Sequence, residues 1–167
     1  MTQNNRILPV QLKPIGVVAA REQEGQFSLQ ILPEYRPALA QLDQFSHVLV
    51  LWWANHHDNA ASRATLTARL PYAEGVEAGV FACRSEYRPN PIAVTVCPII
   101  AVDQATGQVT LAYIDAFDGS PVLDLKPYLP VCDRLREVQV ADWMRDWPAW
   151  YEEAEAYFSA HATDFGD

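Results

Sequence analysis

Two arginines in a proline-rich stretch are the first candidates for binding chemistry. Arg84 and Arg88 lie four residues apart, and Pro89 and Pro91 follow directly. Proline lacks an N–H and biases the preceding residue towards extended geometry, so no helix can pass through this stretch. A guanidinium offers planar, forked donors that suit a phosphate or a carboxylate. The pattern predicts a stiff loop whose arginines either bind an anion or pin the loop by pairing with nearby acids.

Three carboxylates crowd a second segment. Asp115, Asp118 and Asp124 lie within ten residues, and Asp118-Gly119 predicts a tight turn. One interpretation is a simple hairpin between the strands on either side of this turn. The other is a site at a strand end, because crowded carboxylates mark a site or a demanding hydrogen-bond network.

Histidines and cysteines give weaker signals. His56 and His57 are adjacent, and neighbours on a strand point to opposite faces, so they make a poor metal pair and we predict no metal site. The three cysteines, Cys83, Cys97 and Cys132, form no C-x-x-C pair and are odd in number, which predicts reduced, structural thiols. The chain also lacks the glycine-rich motifs of the Rossmann fold and of the P-loop.

Strands must position these groups. Apolar patterning predicts strands over residues 11–20, 27–32, 47–54, 92–102 and 108–114, with a further apolar run over 122–125. The strand over 47–54 is apolar on both faces, which favours the centre of a closed or well-covered sheet. We also predict a helical turn over 37–42 and a helix over 59–70 that Asp58 caps.

The C-terminal part has a different character. Helical spacing, with Asp146 as N-cap, places six residues on one face: Trp147, Trp150, Tyr151, Ala154, Tyr157 and Phe158. This face is expected to pack on the rest of the chain or on a second copy. We therefore predict a β-barrel domain over residues 1–136 and a helical extension over 137–167.

Composition and charge bound the class of protein. The 167 residues suit a globular chain of ordinary single-domain size, and no apolar run approaches the length of a membrane span. The polar start predicts no signal peptide and a cytoplasmic protein. Of the net charge of −9, residues 137–167 carry eight acids and one arginine, or −7, which leaves −2 for residues 1–136. The chain lacks the basic footprint of an independent RNA binder.

Five motifs in one order give a resemblance to a known family. They are Pro14-Ile15-Gly16-Val17-Val18, Phe45-Ser46-His47-Val48, Val80-Phe81-Ala82-Cys83-Arg84, Arg88-Pro89-Asn90-Pro91-Ile92 and the run from Asp118-Gly119-Ser120-Pro121 to Tyr128. Together they resemble the TsaA-like family of tRNA methyltransferase O over residues 13–130. The resemblance implies a mostly-β protein with a single closed β-barrel, short helices and a C-terminal helical segment. It also implies a homodimer that binds S-adenosyl-L-methionine outside any Rossmann fold.

The family's activity implies roles for particular residues. Its founding reaction methylates N6 of threonylcarbamoyl-adenosine beside the tRNA anticodon, so tRNA is a candidate substrate. The cofactor contacts implied by motif position are Asn55, His56, Arg84, Val94, Asp118, Gly119, Ser120 and Pro121. Arg84 suits the methionine carboxylate, and Val94 would wall the adenine. Asp115 or Asp118 could accept the proton that the nitrogen sheds, and we expect the substrate to contact Arg88, Asn90 and Lys126.

Two departures from the family pattern leave other functions open. Where the family often has a Pro-Arg-Gln segment, this chain has Arg21-Glu22-Gln23-Glu24-Gly25, and we expect altered cofactor binding. The family's bacterial tRNA enzymes also continue into a further C-terminal domain, which we do not expect here. The alternatives are a methyltransferase of a small metabolite and a non-catalytic module that binds S-adenosylmethionine or an anion.

Overall fold

The computed structural model describes residues 10–161, which form two compact units. The barrel unit comprises residues 10–56 and 92–129. The second unit comprises residues 57–91 and 130–161. The predicted boundary at residue 136 stays a prediction.

Eight strands run in chain order through these units. They are β1 (Gly16–Arg21), β2 (Gln26–Ile31), β3 (His47–Trp53), β4 (Thr67–Arg69), β5 (Glu77–Gly79), β6 (Ile92–Asp103), β7 (Gln108–Leu111) and β8 (Pro121–Pro127). Six of them form a closed antiparallel barrel in the order β1-β2-β7-β6-β3-β8. The predicted mostly-β fold with one closed barrel is confirmed. Strands β4 and β5 form a separate two-stranded sheet in the second unit.

Strand β3 is the best-buried strand of the barrel. Val48, Val50 and Trp52 are buried on one face, and the residues between them are half-buried. Trp52 Nε1 donates a hydrogen bond to Thr95 Oγ1 at 3.1 Å, so the indole N–H is satisfied inside the core. Burial on one face and partial cover on the other explain why the sequence of β3 is apolar throughout.

The hairpin interpretation of the Asp118-Gly119 turn is wrong. Strand β7 pairs with β2 and β6, whereas β8 lies between β1 and β3. Residues 112–120 carry the chain from one side of the barrel to the other, and Gly16 then pairs with Val122. Gly16 also allows β1 to approach β2 closely, because a Cβ at this position would lie 2.5 Å from the carbonyl oxygen of Gln30 on β2.

The predicted helices are shorter than expected. Helix α1 spans only Ala60–Ala64, and its N-cap is Asn59, whose side chain accepts a hydrogen bond from the Ser62 amide at 3.0 Å. Asp58 is not the cap, because it binds Arg63 instead. The chain then turns into the short strand β4: Thr65, the C-cap of α1, already has extended geometry, and Thr67 begins the strand. Both residues are β-branched, which favours a strand over a helix. The turn predicted over 37–42 is replaced by two 3₁₀ segments, Pro33–Leu39 and Leu42–Gln44.

The C-terminal segment is a series of short helices instead of one amphipathic helix. It contains α2 (Pro130–Asp133), 3₁₀ turns at Asp142–Met144 and Tyr151–Glu153, and α3 (Ala154–Ala160). Asp146 does not cap a helix; Trp150 has extended backbone geometry and restarts the helical turn at Tyr151. The aromatic face is therefore split. Trp147 contacts Phe158 and, within the same unit, Tyr72, each with ring centroids 5.1 Å apart, whereas Trp150 and Tyr151 are exposed.

Within residues 10–161, no helix is long and apolar enough to cross a membrane.

Candidate functional site

A tight turn of the barrel unit holds three of the eight predicted cofactor contacts, Asp118, Gly119 and Ser120. The turn runs from residue 117 to residue 120: the Ser120 amide donates to the Phe117 carbonyl at 3.1 Å, and Gly119 has a φ of 79°. Glycine adopts this left-handed geometry without a steric penalty. A Cβ added at Gly119 would project into open space, so the backbone of the turn is accessible on that side.

Three hydrogen bonds clamp this turn onto β1. Asp118 Oδ1 accepts from the Ala20 amide at 3.0 Å, and the Gly119 amide donates to the Val18 carbonyl at 2.9 Å. The Val18 amide in turn donates to the Ser120 carbonyl at 2.9 Å. The predicted polar turn is therefore fixed at both ends, and one oxygen of the Asp118 carboxylate has a structural role.

Ser120 carries an unsatisfied polar group at the end of the turn. Its side chain is only 1% exposed, and within the described part of the chain its Oγ has no hydrogen-bond partner. A buried polar atom without a partner costs about 1–3 kcal/mol. A ligand that supplies a partner would recover this free energy, so Ser120 fits the predicted cofactor contact.

An aromatic pair lies beside the turn. The ring of His56, just after β3, stacks on Phe117 with centroids 5.0 Å apart and planes at 9°. Both residues are exposed, as is Asn55. Sequence reasoning singled out Asn55 and His56 but missed Phe117. The available signal was a large aromatic residue immediately before a polar turn.

The remaining predicted residues of the barrel unit have different surroundings. Burial, together with the nearby charge of Asp115, raises the pKa of the Cys97 thiol to about 12, so this cysteine stays protonated. Lys126 Nζ lies 2.7 Å from Asp124 Oδ2; this hydrogen bond and the carboxylate charge raise the Lys126 pKa. Val94 on β6 is partly exposed and offers an apolar surface.

A cavity of about 280 Å³ lies elsewhere in the barrel unit. Tyr35, Leu39, Leu42, Phe45 and Asp124 are among the residues that line it. Asp124 belongs to the carboxylate cluster noted in the sequence, but none of the predicted cofactor or substrate contacts lines this cavity.

In the second unit, Arg88 holds its own loop together. Its Nη2 donates to the carbonyl oxygens of Val80 and Cys83, the latter at 2.7 Å. Arg88 thus pins the loop, as one interpretation of the sequence expected, but it binds backbone carbonyls and not acids. The half-buried position of Arg88 and these bonds direct its guanidinium into the loop.

Arg84 differs from Arg88 although the sequence gives both the same setting. Its side chain is exposed, and no hydrogen bond or ion pair to it is formed by residues 10–161. Nearby Glu86 lies 3.7 Å from His57 Nε2, so the acid of this loop pairs with a histidine. Arg84 is therefore available for an anion, and exposed Asn90 lies on the same loop.

In the part of the chain that the structure describes, no group of three or more His, Cys, Asp or Glu side chains could hold a metal ion.

Comparison with known proteins gives consistent similarities. Residues 10–134 match the family described as the tRNA-methyltransferase O N-terminal domain. An S-adenosyl-L-methionine-binding protein of Archaeoglobus fulgidus is 36% identical over 140 residues, which cover 77% of this chain and 96% of that protein. A tRNA (adenine(37)-N6)-methyltransferase of Mus musculus is 36% identical over 108 residues, which cover 65% of this chain and 24% of that enzyme. The crystal structure of TrmO from Pseudomonas aeruginosa superposes with a TM-score of 0.64 at 25% identity, covering 96% of this chain and 75% of the other.

The clamp predicts different effects for two substitutions of Asp118. Asp118→Ala removes the acceptor for the Ala20 amide and should lower the free energy of unfolding by about 0.5–1.5 kcal/mol. Asp118→Asn keeps a side-chain oxygen at the same place and should stay close to wild type. Chemical denaturation of the three proteins checks this; equal stability of the alanine variant and the wild type would show that the clamp contributes nothing.

Proposed function

The chain belongs to the tRNA-methyltransferase O N-terminal domain family, and from this premise we propose that it is an S-adenosylmethionine-dependent methyltransferase that acts on tRNA. The observation that carries the proposal is the clamped turn at residues 117–120, with the buried Ser120 hydroxyl, which has no hydrogen-bond partner among residues 10–161. The names of the similar proteins support both halves of the proposal: one is an S-adenosyl-L-methionine-binding protein and another a tRNA (adenine(37)-N6)-methyltransferase.

The residues present fit the cofactor. Arg84 is exposed and has no bonding partner within residues 10–161, and its forked guanidinium suits the methionine carboxylate. Gly119 leaves the turn backbone accessible, and Ser120 Oγ needs a hydrogen-bond partner such as a sugar hydroxyl or a ring nitrogen. Val94 and Pro121 offer apolar surface to the adenine, while Asn55 and His56 complete the set of proposed contacts.

Bound S-adenosylmethionine supplies an electrophilic methyl group. The protein must align the methyl donor with the acceptor and exclude water. Alignment can lower the activation free energy of methyl transfer by about 7–11 kcal/mol. The rigid turn suits this task, because its backbone is fixed by β1 before any ligand binds.

We propose N6 of the adenine beside the anticodon, in its threonylcarbamoyl form, as the methyl acceptor. The nitrogen must lose a proton during the reaction, and Asp115 or the second carboxylate oxygen of Asp118 would take it. Asp118 Oδ1 already accepts from Ala20, which leaves Oδ2 for this role. Arg88 would act mainly by shaping the loop, with Asn90 and Lys126 towards the substrate.

A homodimer in the cytoplasm is part of the proposal. The segment after Leu129 exposes aliphatic side chains that monomeric proteins usually cover: Val131 is 92% exposed and Leu135 is 72% exposed. A second copy that packs on this segment would bury them. It would also let basic residues of both chains contact one polyanion.

One observation favours a second candidate, a small-metabolite methyltransferase. Net charge −9 disfavours tRNA, since tight binding requires several phosphate contacts. A neutral or cationic small acceptor would not meet this repulsion.

Nucleoside mass spectrometry distinguishes the two acceptors. We expect the purified chain, with labelled S-adenosylmethionine and tRNA that carries threonylcarbamoyl-adenosine, to place the label on N6 of that nucleoside. The same measurement on a deletion strain should show loss of the methylated nucleoside. Label found only in small molecules would instead establish the second candidate.

Substitution of the two arginines should have unequal effects on cofactor binding. Arg84→Ala removes a charge-assisted bond and should weaken S-adenosylmethionine binding by about 1.5–3 kcal/mol, measured by calorimetry. Arg88→Ala should affect affinity less and lower the melting temperature more, because its guanidinium binds the loop's own carbonyls. Small, equal losses of affinity would contradict the assignment of Arg84 to the carboxylate.

The dimer interface can be tested with one charge. Leu135→Asp should convert the dimer to a monomer in analytical ultracentrifugation, because a carboxylate would be buried in an apolar contact. Ile100→Asp, at a residue that is similarly exposed in the barrel unit, is the matched control and should stay dimeric. A wild-type chain that sediments as a monomer at every concentration, yet binds tRNA tightly, would contradict the proposed dimer.

A further inference from the structure

Phe117 presents an aromatic ring for which the cofactor assignment has no use. The residue is 52% exposed, and its ring lies almost parallel to that of His56, at 9°. An offset stack of this kind leaves the outer face of a ring open to a third flat group. Other aromatic contacts of the barrel unit differ: Tyr113 meets Phe27 edge-on, at 69°.

The backbone holds this ring in place. Ala116, directly before Phe117, is buried, and Asp118, directly after it, is clamped to Ala20. The Phe117 carbonyl itself accepts the hydrogen bond that closes the turn. An exposed aromatic ring on a fixed backbone loses little conformational entropy when a ligand stacks on it.

We propose that Phe117, backed by His56, is the platform on which the acceptor adenine of the RNA stacks; this inference rests on the proposed function. Proteins that recognise unpaired bases stack them on aromatic side chains, and each such contact is worth about 1–3 kcal/mol. Stacking needs no positive charge. It therefore suits a chain of net charge −9, which has few phosphate contacts to offer.

The position of the platform agrees with a role towards the acceptor. Phe117 adjoins Asp118, whose second carboxylate oxygen is one of the two proposed proton acceptors. A base stacked on Phe117 would bring its exocyclic nitrogen towards the same turn that we assign to the cofactor. Phe117 thus selects a flat acceptor, whereas residues 118–121 hold the methyl donor.

The test compares two RNA stem-loops that differ at one nucleotide. One carries adenine at the acceptor position, and the other carries an abasic nucleotide there. Binding of fluorescently labelled stem-loops is measured by anisotropy for the wild type, Phe117→Ala, Phe117→Trp and the control Tyr113→Leu, each checked for unchanged melting temperature.

We expect Phe117→Ala to weaken binding of the adenine stem-loop by about 5- to 150-fold, the equivalent of one lost stack. Binding of the abasic stem-loop should not change, so the wild-type preference for adenine disappears. Phe117→Trp should keep that preference, and Tyr113→Leu should behave as the wild type.

Two results would overturn the platform. The first is an alanine variant that still prefers the adenine stem-loop as strongly as the wild type. The second is a loss of S-adenosylmethionine affinity, measured by calorimetry, with no change in RNA binding, which would make Phe117 a cofactor contact. The proposed function can fail independently of the platform. If the wild type discriminates adenine through Phe117 but transfers no methyl group, the stacking role stands and the methyltransferase activity is contradicted.

Discussion

The attachment of one polar turn to strand β1 determines the geometry of the candidate site. Asp118 Oδ1 accepts a hydrogen bond from the Ala20 amide. The Gly119 amide donates to the Val18 carbonyl, and the Val18 amide donates to the Ser120 carbonyl. Strand β1 is itself held by β2 along its length and by β8 at Gly16. The turn therefore inherits the rigidity of a closed barrel, although a turn of this sequence would be mobile on its own. Ser120 is the unfavourable feature of this arrangement, because its buried hydroxyl has no hydrogen-bond partner among the described residues.

In each unit, one polar side chain supports the local backbone. In the second unit, Arg88 shapes its loop by binding backbone carbonyls, whereas Arg84 on the same loop is exposed. In the barrel unit, one carboxylate oxygen of Asp118 clamps the turn. Supporting groups of this kind hold neighbouring side chains close to one geometry.

Much of the fold follows from the sequence because strand patterning is local. The run of apolar residues in β3 predicted a covered central strand, and the structure confirms it. The strands that pair with β8 could not be predicted from local patterning. The sequence Asp118-Gly119 suits a hairpin and also suits a turn between two strands that do not pair with each other. Only the observed pairing of β8 with β1 and β3 distinguishes the two. The cap of α1 was misassigned by one residue, since Asp58 and Asn59 are both good caps and only Arg63 distinguishes them.

The sequence predicted which residues are candidates for a site, and that assignment stays a prediction; it did not predict their surroundings. Motif positions named the turn residues and both arginines, yet nothing local separates Arg84 from Arg88. The difference arises from the carbonyls of Val80 and Cys83, which lie where the Arg88 guanidinium reaches them. Phe117 was missed because its significance depends on His56, which is distant in sequence and adjacent in the barrel unit.

If the cofactor binds at the clamped turn, an NMR titration of ¹⁵N-labelled protein with S-adenosylmethionine will locate it there. We expect the amide of Gly119 to be protected from exchange already without ligand, since it is bonded to Val18. On titration, the largest shifts should fall on the amides of residues 118–120 and on Arg84 Nε. Saturable shifts confined to the cavity around Tyr35 and Leu42, with the turn unchanged, would contradict cofactor binding at the turn.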